Sequence, residues 1–169
     1  MIFISPPPFR IYLLRHAEAA FAGRGGRDFD RPLSDAGRVQ ADIASRAAAE
    51  KGYEPALVIA STALRCRQTA EAVKRVVGPA VEFRYADALY NAGANAYLDI
   101  IAGQVSEPSV MLVGHNPTIE LTLAALIGAD AMAEALGDGY PTAGLAVIDA
   151  VEPGAAAPTG WILSDFLTA

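Results

Sequence analysis

Four runs along the chain are short, apolar and uninterrupted: Ile11–Leu14, Leu57–Ala60, Val110–Val113 and Leu145–Ile148. Runs of that length without polar alternation fit strands buried on both faces, as in a parallel sheet. Val81–Phe83 reads as a further short strand and Trp161–Leu167 as a last, weaker one. Helical periodicity fills the intervals. Ser34 is placed to cap a helix in which Val39, Ile43 and Ala47 recur at i, i+4 and i+8 as an apolar stripe, ending near Gly52. A second helix should begin at Ser61 or Thr62 and run to about Val77, closed by Gly78-Pro79. A third covers Ala94–Ala102. A fourth opens at Asn116-Pro117, with the proline at its first helical position and Ile119, Leu123 and Leu126 as its stripe. Asp130–Leu136 reads as a short helix, Arg24–Asp30 as a polar Gly-rich loop, and Gly154–Gly160 as a flexible hairpin or surface excursion. Strands alternating with helices imply an α/β fold with a mostly parallel sheet and helices on both faces. No repeat or linker divides the chain, so residues 1–169 are expected to form a single domain.

Composition changes the picture in two ways. At 169 residues, 53% hydrophobic and 19% charged, the chain can bury a core without disulfides or a structural metal. A net charge of −6 and a pI near 4.8 argue against a nucleic-acid partner. Yet eleven of the thirteen basic residues are Arg, whose planar fork suits phosphate or carboxylate, so one concentrated anion site is compatible with an acidic protein. The opening MIFISPPPFR has no basic n-region and its apolar run meets three prolines, so a signal peptide is not expected. No apolar stretch reaches about 20 residues, so no membrane partner is expected either. Cys66 is the lone cysteine, which makes the cytoplasm the default location. Two histidines and one cysteine without close spacing leave no expected metal site and no cofactor.

Ligands of parallel sheets collect at the carboxyl ends of the strands. Three of those ends carry polar groups here: Arg15-His16 after the first run, Ser61 with Arg65 after the second, and Gly114-His115-Asn116 after the fourth. Both histidines of the chain lie at this edge. Arg65 and Arg67 differ by two positions, about 200° around a helix, so one of them faces the site and the other faces solvent. Arg65 shares its face with Gln68 and Thr69 near the helix N-terminus, where an anion is favoured, and is the functional one of the pair.

LLRHAEA, RPLSDAGRVQA, S-x-x-x-R-x-x-Q-T-A and VGHNP, spread in that order over residues 10–128, resemble the histidine phosphatase (phosphoglycerate mutase-like) superfamily. The short length, GHNP and PTAGLAV at Pro141–Val147 are most similar to small bacterial phosphohistidine phosphatases of the SixA type. The resemblance implies a three-layer α/β/α sandwich and a metal-independent phosphatase. His16 would become phosphorylated, and Arg15, Arg65 and His115 would bind the phosphoryl oxygens, with Ser61 and Asn116 assisting. Two guanidiniums and an imidazolium would neutralise the transferring group without a metal. The substrate would be a phosphorylated partner, with a phosphohistidine protein in first place; the alternatives are a small phosphoester or a weakly catalytic adaptor that binds a phospho-ligand. Many relatives carry an acid as L-x-E, where this chain has Leu89-Tyr90-Asn91. Asp87 and Glu18 are the candidate proton donors. The missing Glu favours substrates with good leaving groups. Competing chemistries lack their motifs. No Arg follows Cys66 at the required spacing, Asp28-Phe29-Asp30 reads as loop or capping, and there is no GxSxG, GxxxxGK or GxGxxG.

Overall fold

The computed structural model describes residues 9–104, 106–154 and 160–169. The expectations for residues 1–8 and for the centre of the Gly154–Gly160 segment lie outside the described residues. Six strands form one sheet: β1 (Arg10–Arg15), β2 (Leu57–Ser61), β3 (Glu82–Ala86), β4 (Ser109–Gly114), β5 (Leu145–Ala150) and β6 (Trp161–Leu167), in the order β3-β2-β4-β1-β5-β6. The first four strands in that order are mutually parallel, whereas β5 runs antiparallel to both β1 and β6. β2, β4 and β5 are buried at every residue, which is why they read as continuous apolar runs. β3 is longer than the Val81–Phe83 expected. It is an edge strand whose charged Glu82 and Arg84 face water, so its second half carries no apolar signal.

Helices α1 (Asp35–Glu50) and α2 (Leu64–Val77) cover one face, with α3 (Ala94–Ala102) and α4 (Thr118–Ile127) on the other; α5 (Ala129–Ala135) follows α4. Ser34 caps α1, its Oγ accepting from the Gly37 N–H at 2.9 Å. The expected stripe of α1 does not face the core. Val39 and Ile43 are 58% and 48% exposed, and the buried side is Gly37, Ala41, Ala44, Ser45 and Ala48. The helix lies close against its neighbours, and only small side chains fit between. α2 starts at Leu64, because Ser61 still belongs to β2. Pro117 caps α4 rather than beginning it.

Candidate active site

Parallel pairing aligns the strand ends. Arg15 pairs with Gly114 and Ala60 with Val113, so His16, Ser61 and His115 emerge at one edge. There the structure brings four expected residues into one hydrogen-bonded group. Arg65 Nε donates to His16 Nε2 at 3.2 Å, and Arg65 Nη2 donates to His115 Nδ1 at 3.2 Å. His115 Nε2 lies 2.9 Å from Ser61 Oγ and 3.4 Å from Cys66 Sγ. Arg65 is buried in this group, while Arg67 stands exposed over the Tyr85 ring, as helical phase requires.

The donors fix the tautomers. His16 Nδ1 lies 2.7 Å from the Ala17 carbonyl, which can only accept, so Nδ1 carries the proton. Nε2 then keeps its lone pair and accepts from Arg65. Guanidinium likewise only donates, so His115 Nδ1 is unprotonated and Nε2–H points at Ser61 and Cys66. Burial and neighbouring cations reinforce both assignments. His16 is pushed down to about 4, chiefly by burial and then by Arg65 and Arg15. His115 is pushed down to about 3 by burial, His16 and Arg65. The imidazolium expected at His115 is therefore a neutral imidazole in the free protein, because burial disfavours its charge and the Arg65 cation beside it adds repulsion. Burial holds the Cys66 thiol up at about 12, so it is no nucleophile near neutral pH.

Local sequence holds these groups in place. Thr69 Oγ1 accepts from Ala17 N at 3.1 Å, and Gln68 Oε1 accepts from Leu33 N at 2.7 Å, so α2 grips both ends of the loop that follows His16. Gly37 is required where α1 passes this loop, since a Cβ there would collide with the Glu18 carbonyl. On the opposite face the Tyr97 hydroxyl accepts from His115 N at 3.2 Å and donates to Leu89 O at 3.0 Å. It passes so near Gly114 that no side chain fits at that position. The Pro141–Gly144 turn brackets His16: Arg15 N donates to Gly144 O at 3.0 Å and Ala143 N to His16 O at 3.3 Å.

Comparison with known proteins assigns the chain. The family model of the histidine phosphatase superfamily (branch 1) matches residues 11–93. An uncharacterised Mycobacterium tuberculosis protein is 35% identical, with 88% of this chain and 98% of the relative covered. The chain belongs to the histidine phosphatase superfamily. A solved Agrobacterium tumefaciens protein, provisionally assigned as the phosphohistidine phosphatase SixA, is 49% identical with a TM-score of 0.87, covering 96% of this chain and 99% of that one. A SixA protein complexed with tungstate shares the fold at 20% identity and a TM-score of 0.76, covering 95% of this chain and 97% of its own. The protein is a phosphatase.

Not every expected residue of this phosphatase joins the central group. Arg15 Nη1 donates to the Tyr140 carbonyl, and Asn116 Nδ2 to Glu120 Oε2 at 3.2 Å. Arg15 Nε and Asn116 Oδ1 are buried with no hydrogen-bond partner among the described residues. Glu18 is exposed and accepts from Ser34 Oγ at 2.6 Å; Asp87 accepts from Thr62 Oγ1 at 2.6 Å. Neither carboxylate bonds to His16, Arg65 or His115. Asn91, at the position where the resemblance led to an expected Glu, is exposed with φ of 55°. Among the described residues no group of three His, Cys, Asp or Glu side chains is arranged to hold a metal ion.

Asp28 escaped the sequence reading. It lies in a 3-10 turn, Asp28–Asp30, as loop character predicts, but its carbonyl accepts from Arg65 Nη1 at 2.8 Å and its Oδ2 from Nη2 at 3.0 Å. Tyr90, whose hydroxyl donates to the same Oδ2 at 3.1 Å, was also missed. The only sequence signal was an Asp in a Gly-rich loop shortly after the first strand end.

Proposed function

We propose that this phosphatase hydrolyses phosphoramidates, protein phosphohistidine first, through a phosphorylated His16 and without a metal ion. The observation that carries the reading is the His16 ring itself. Its Nδ1–H is spent on the Ala17 carbonyl, and its Nε2 lone pair lies at the edge of the Arg65 guanidinium. Nε2 attacks phosphorus as the substrate's P–N bond breaks, and the departing imidazole nitrogen takes a proton from solvent. Water then adds to phosphorus, the Nε2–P bond breaks, and inorganic phosphate leaves with His16 neutral again. Arg15 and Arg65 neutralise the transferring oxygens, with His115, Ser61 and Asn116 completing the cradle. The buried Arg15 Nε, a donor without an acceptor among the described residues, supports the part given to Arg15. Glu18 and Asp87 are held by Ser34 and Thr62, so no strong acid stands ready for an alkoxide. An imidazole leaves with far less help than an alkoxide, which is why nitrogen-linked phosphate fits best. The lone, buried Cys66 thiol favours a cytoplasmic setting.

Turnover with a [32P]phosphohistidine protein, an aryl phosphate and an alkyl phosphate, each with and without EDTA, tests the reading. The expected result is acid-labile label on His16, rates unchanged by chelator, and alkyl phosphate slower by roughly 10²–10⁴-fold, the usual worth of proton donation. Label absent from His16, or activity lost to EDTA and restored by a divalent ion, overturns it.

A further inference from the structure

The floor of the site is buried, but its outer rim is not. Asp28 is 52% exposed, and beside it stand the half-buried rings of Phe29 and Tyr90, 5.0 Å apart and edge to face. Tyr90 in turn lies edge-on to His115 at 5.6 Å. A substrate's phosphoryl group must reach His16 Nε2 beside Arg65. Arg65 links His16 to this exposed rim, which gives the rest of the substrate a side from which to enter and leave. Asp28 is paired with Arg31 and Arg65, yet half of its side chain stays open to a group that approaches across the rim.

We propose that Asp28, flanked by Phe29 and Tyr90, is the leaving-group subsite and selects departing groups that carry positive charge or an N–H donor. The proposal deepens the phosphoramidate reading and rests on it. Asp28 Oδ2 accepts from Arg65 Nη2 and Tyr90 Oη, while among the described residues Oδ1 accepts only from Arg31 Nη1, at 3.0 Å. An ionised carboxylate has about four acceptor positions, so Oδ1 retains one for a ligand. Arg31, Arg65 and Tyr90 keep the carboxyl below its usual range, so it is an anion near neutral pH. An imidazole that departs while gaining a proton offers Oδ1 a second N–H beside that of Arg31, and a flat ring to set against Phe29 and Tyr90. A leaving group bearing its own negative charge meets repulsion instead.

Three phenyl phosphates matched in leaving-group pKa, carrying a trimethylammonium, no charge or a sulfonate, read the charge preference directly. Native enzyme should rank them in that order, with roughly tenfold between the extremes, the effect of one nearby charge at a protein surface. Asp28→Asn keeps shape and backbone and should compress the range to about twofold, whereas Asp30→Asn in the same turn, which pairs only with exposed Arg27, should leave it intact. In native enzyme, 1 M salt should also compress the range, because Asp28 is half-exposed. An unchanged ranking in Asp28→Asn, or an equal slowing of all three substrates, overturns the subsite; the latter would make Asp28 merely a support for Arg65. Failure of the phosphoramidate reading shows separately, as loss of the His16 label with native enzyme.

Discussion

The side chains that α1 and α2 bury are mostly small: Ala48, Cys66, Ala70 and Val73 against sheet residues such as Tyr12 and Met111, and Ala41, Ala44 and Ala72 against Ala17, Leu33 and Ala143. From α3 and α4, Tyr97, Ile101, Ile119, Leu123 and Leu126 pack on the other face. The two faces deliver site residues by different means. Small side chains let α1 and α2 approach until Thr69 and Gln68 reach the backbone of the His16 loop, and Arg65 enters the site from its own helix. The side chains that α3 and α4 bury are large, and from α3 a single long phenol, Tyr97, reaches the site edge to fix the His115 backbone. One face positions by closeness and the other by reach.

The largest expected effect is on the close face. Arg65→Ala removes the donor shared by His16 and His115 and should lower kcat/KM by roughly 10²–10³-fold, the loss seen when a preorganised donor to developing charge is deleted. Arg67→Ala removes only an exposed stacking contact with Tyr85 and should stay within about threefold. Equal losses would mean that helical phase does not decide which guanidinium serves the site.

Next come the two cores, which should respond in opposite senses to volume. Leu123→Ala empties space in the bulky face and should cost about 2–5 kcal/mol. Ala44→Leu overfills the close face and should cost about 1–3 kcal/mol, with a larger share of lost activity because it pushes α1 away from the His16 loop. Urea unfolding alongside kcat/KM separates the two outcomes. If Ala44→Leu is tolerated without loss of rate, the close face is not what positions His16.

A smaller effect comes from acid. His16 and His115 are both buried neutral, so the unfolded chain binds protons that the folded chain refuses. Stability is therefore full above about pH 6.5 and falls as pH drops toward their folded values near 4 and 3. His16 alone should account for about 2 kcal/mol by pH 5. Denaturant melts at pH 7 and pH 5, in native protein and His16→Asn, check this. The variant should lose less stability over that interval, and an identical loss in both would place the acid sensitivity elsewhere, in carboxylates such as Asp149.

The sheet was legible because strands buried on both faces leave unbroken apolar runs, and so was the convergence of His16, Ser61, Arg65 and His115, which follows from strand ends meeting at one edge. What hid from the sequence depended on distance in space. The neutral state of His115 depends on burial and on His16 and Arg65, both distant in the chain, and Asp28 acquires a role only because Arg65 turns back to meet a loop that its own neighbours describe as polar and Gly-rich. The core side of α1 hid for another reason. Periodicity favours the large apolar residues, but a face built for close approach is lined with alanine.

That misreading supplies the smallest expected effect. Val39 and Ile43 recur four residues apart and look like the anchor of α1, yet both lie largely in water while Ala41, Ala44 and Ala48 are buried. Replacing the pair with polar helix formers, Val39→Gln with Ile43→Lys, removes no packed volume and should shift stability by no more than about 0.5 kcal/mol, the range for surface substitutions. The direction should be slightly favourable, since β-branched residues lose rotamer freedom in a helix and unbranched ones lose little. Rates should be unchanged, because neither side chain touches the loop that carries His16. A loss of several kcal/mol would mean that the exposed stripe is covered, by a second copy of the chain or by another protein, and a stability that rises with protein concentration would identify the first of these.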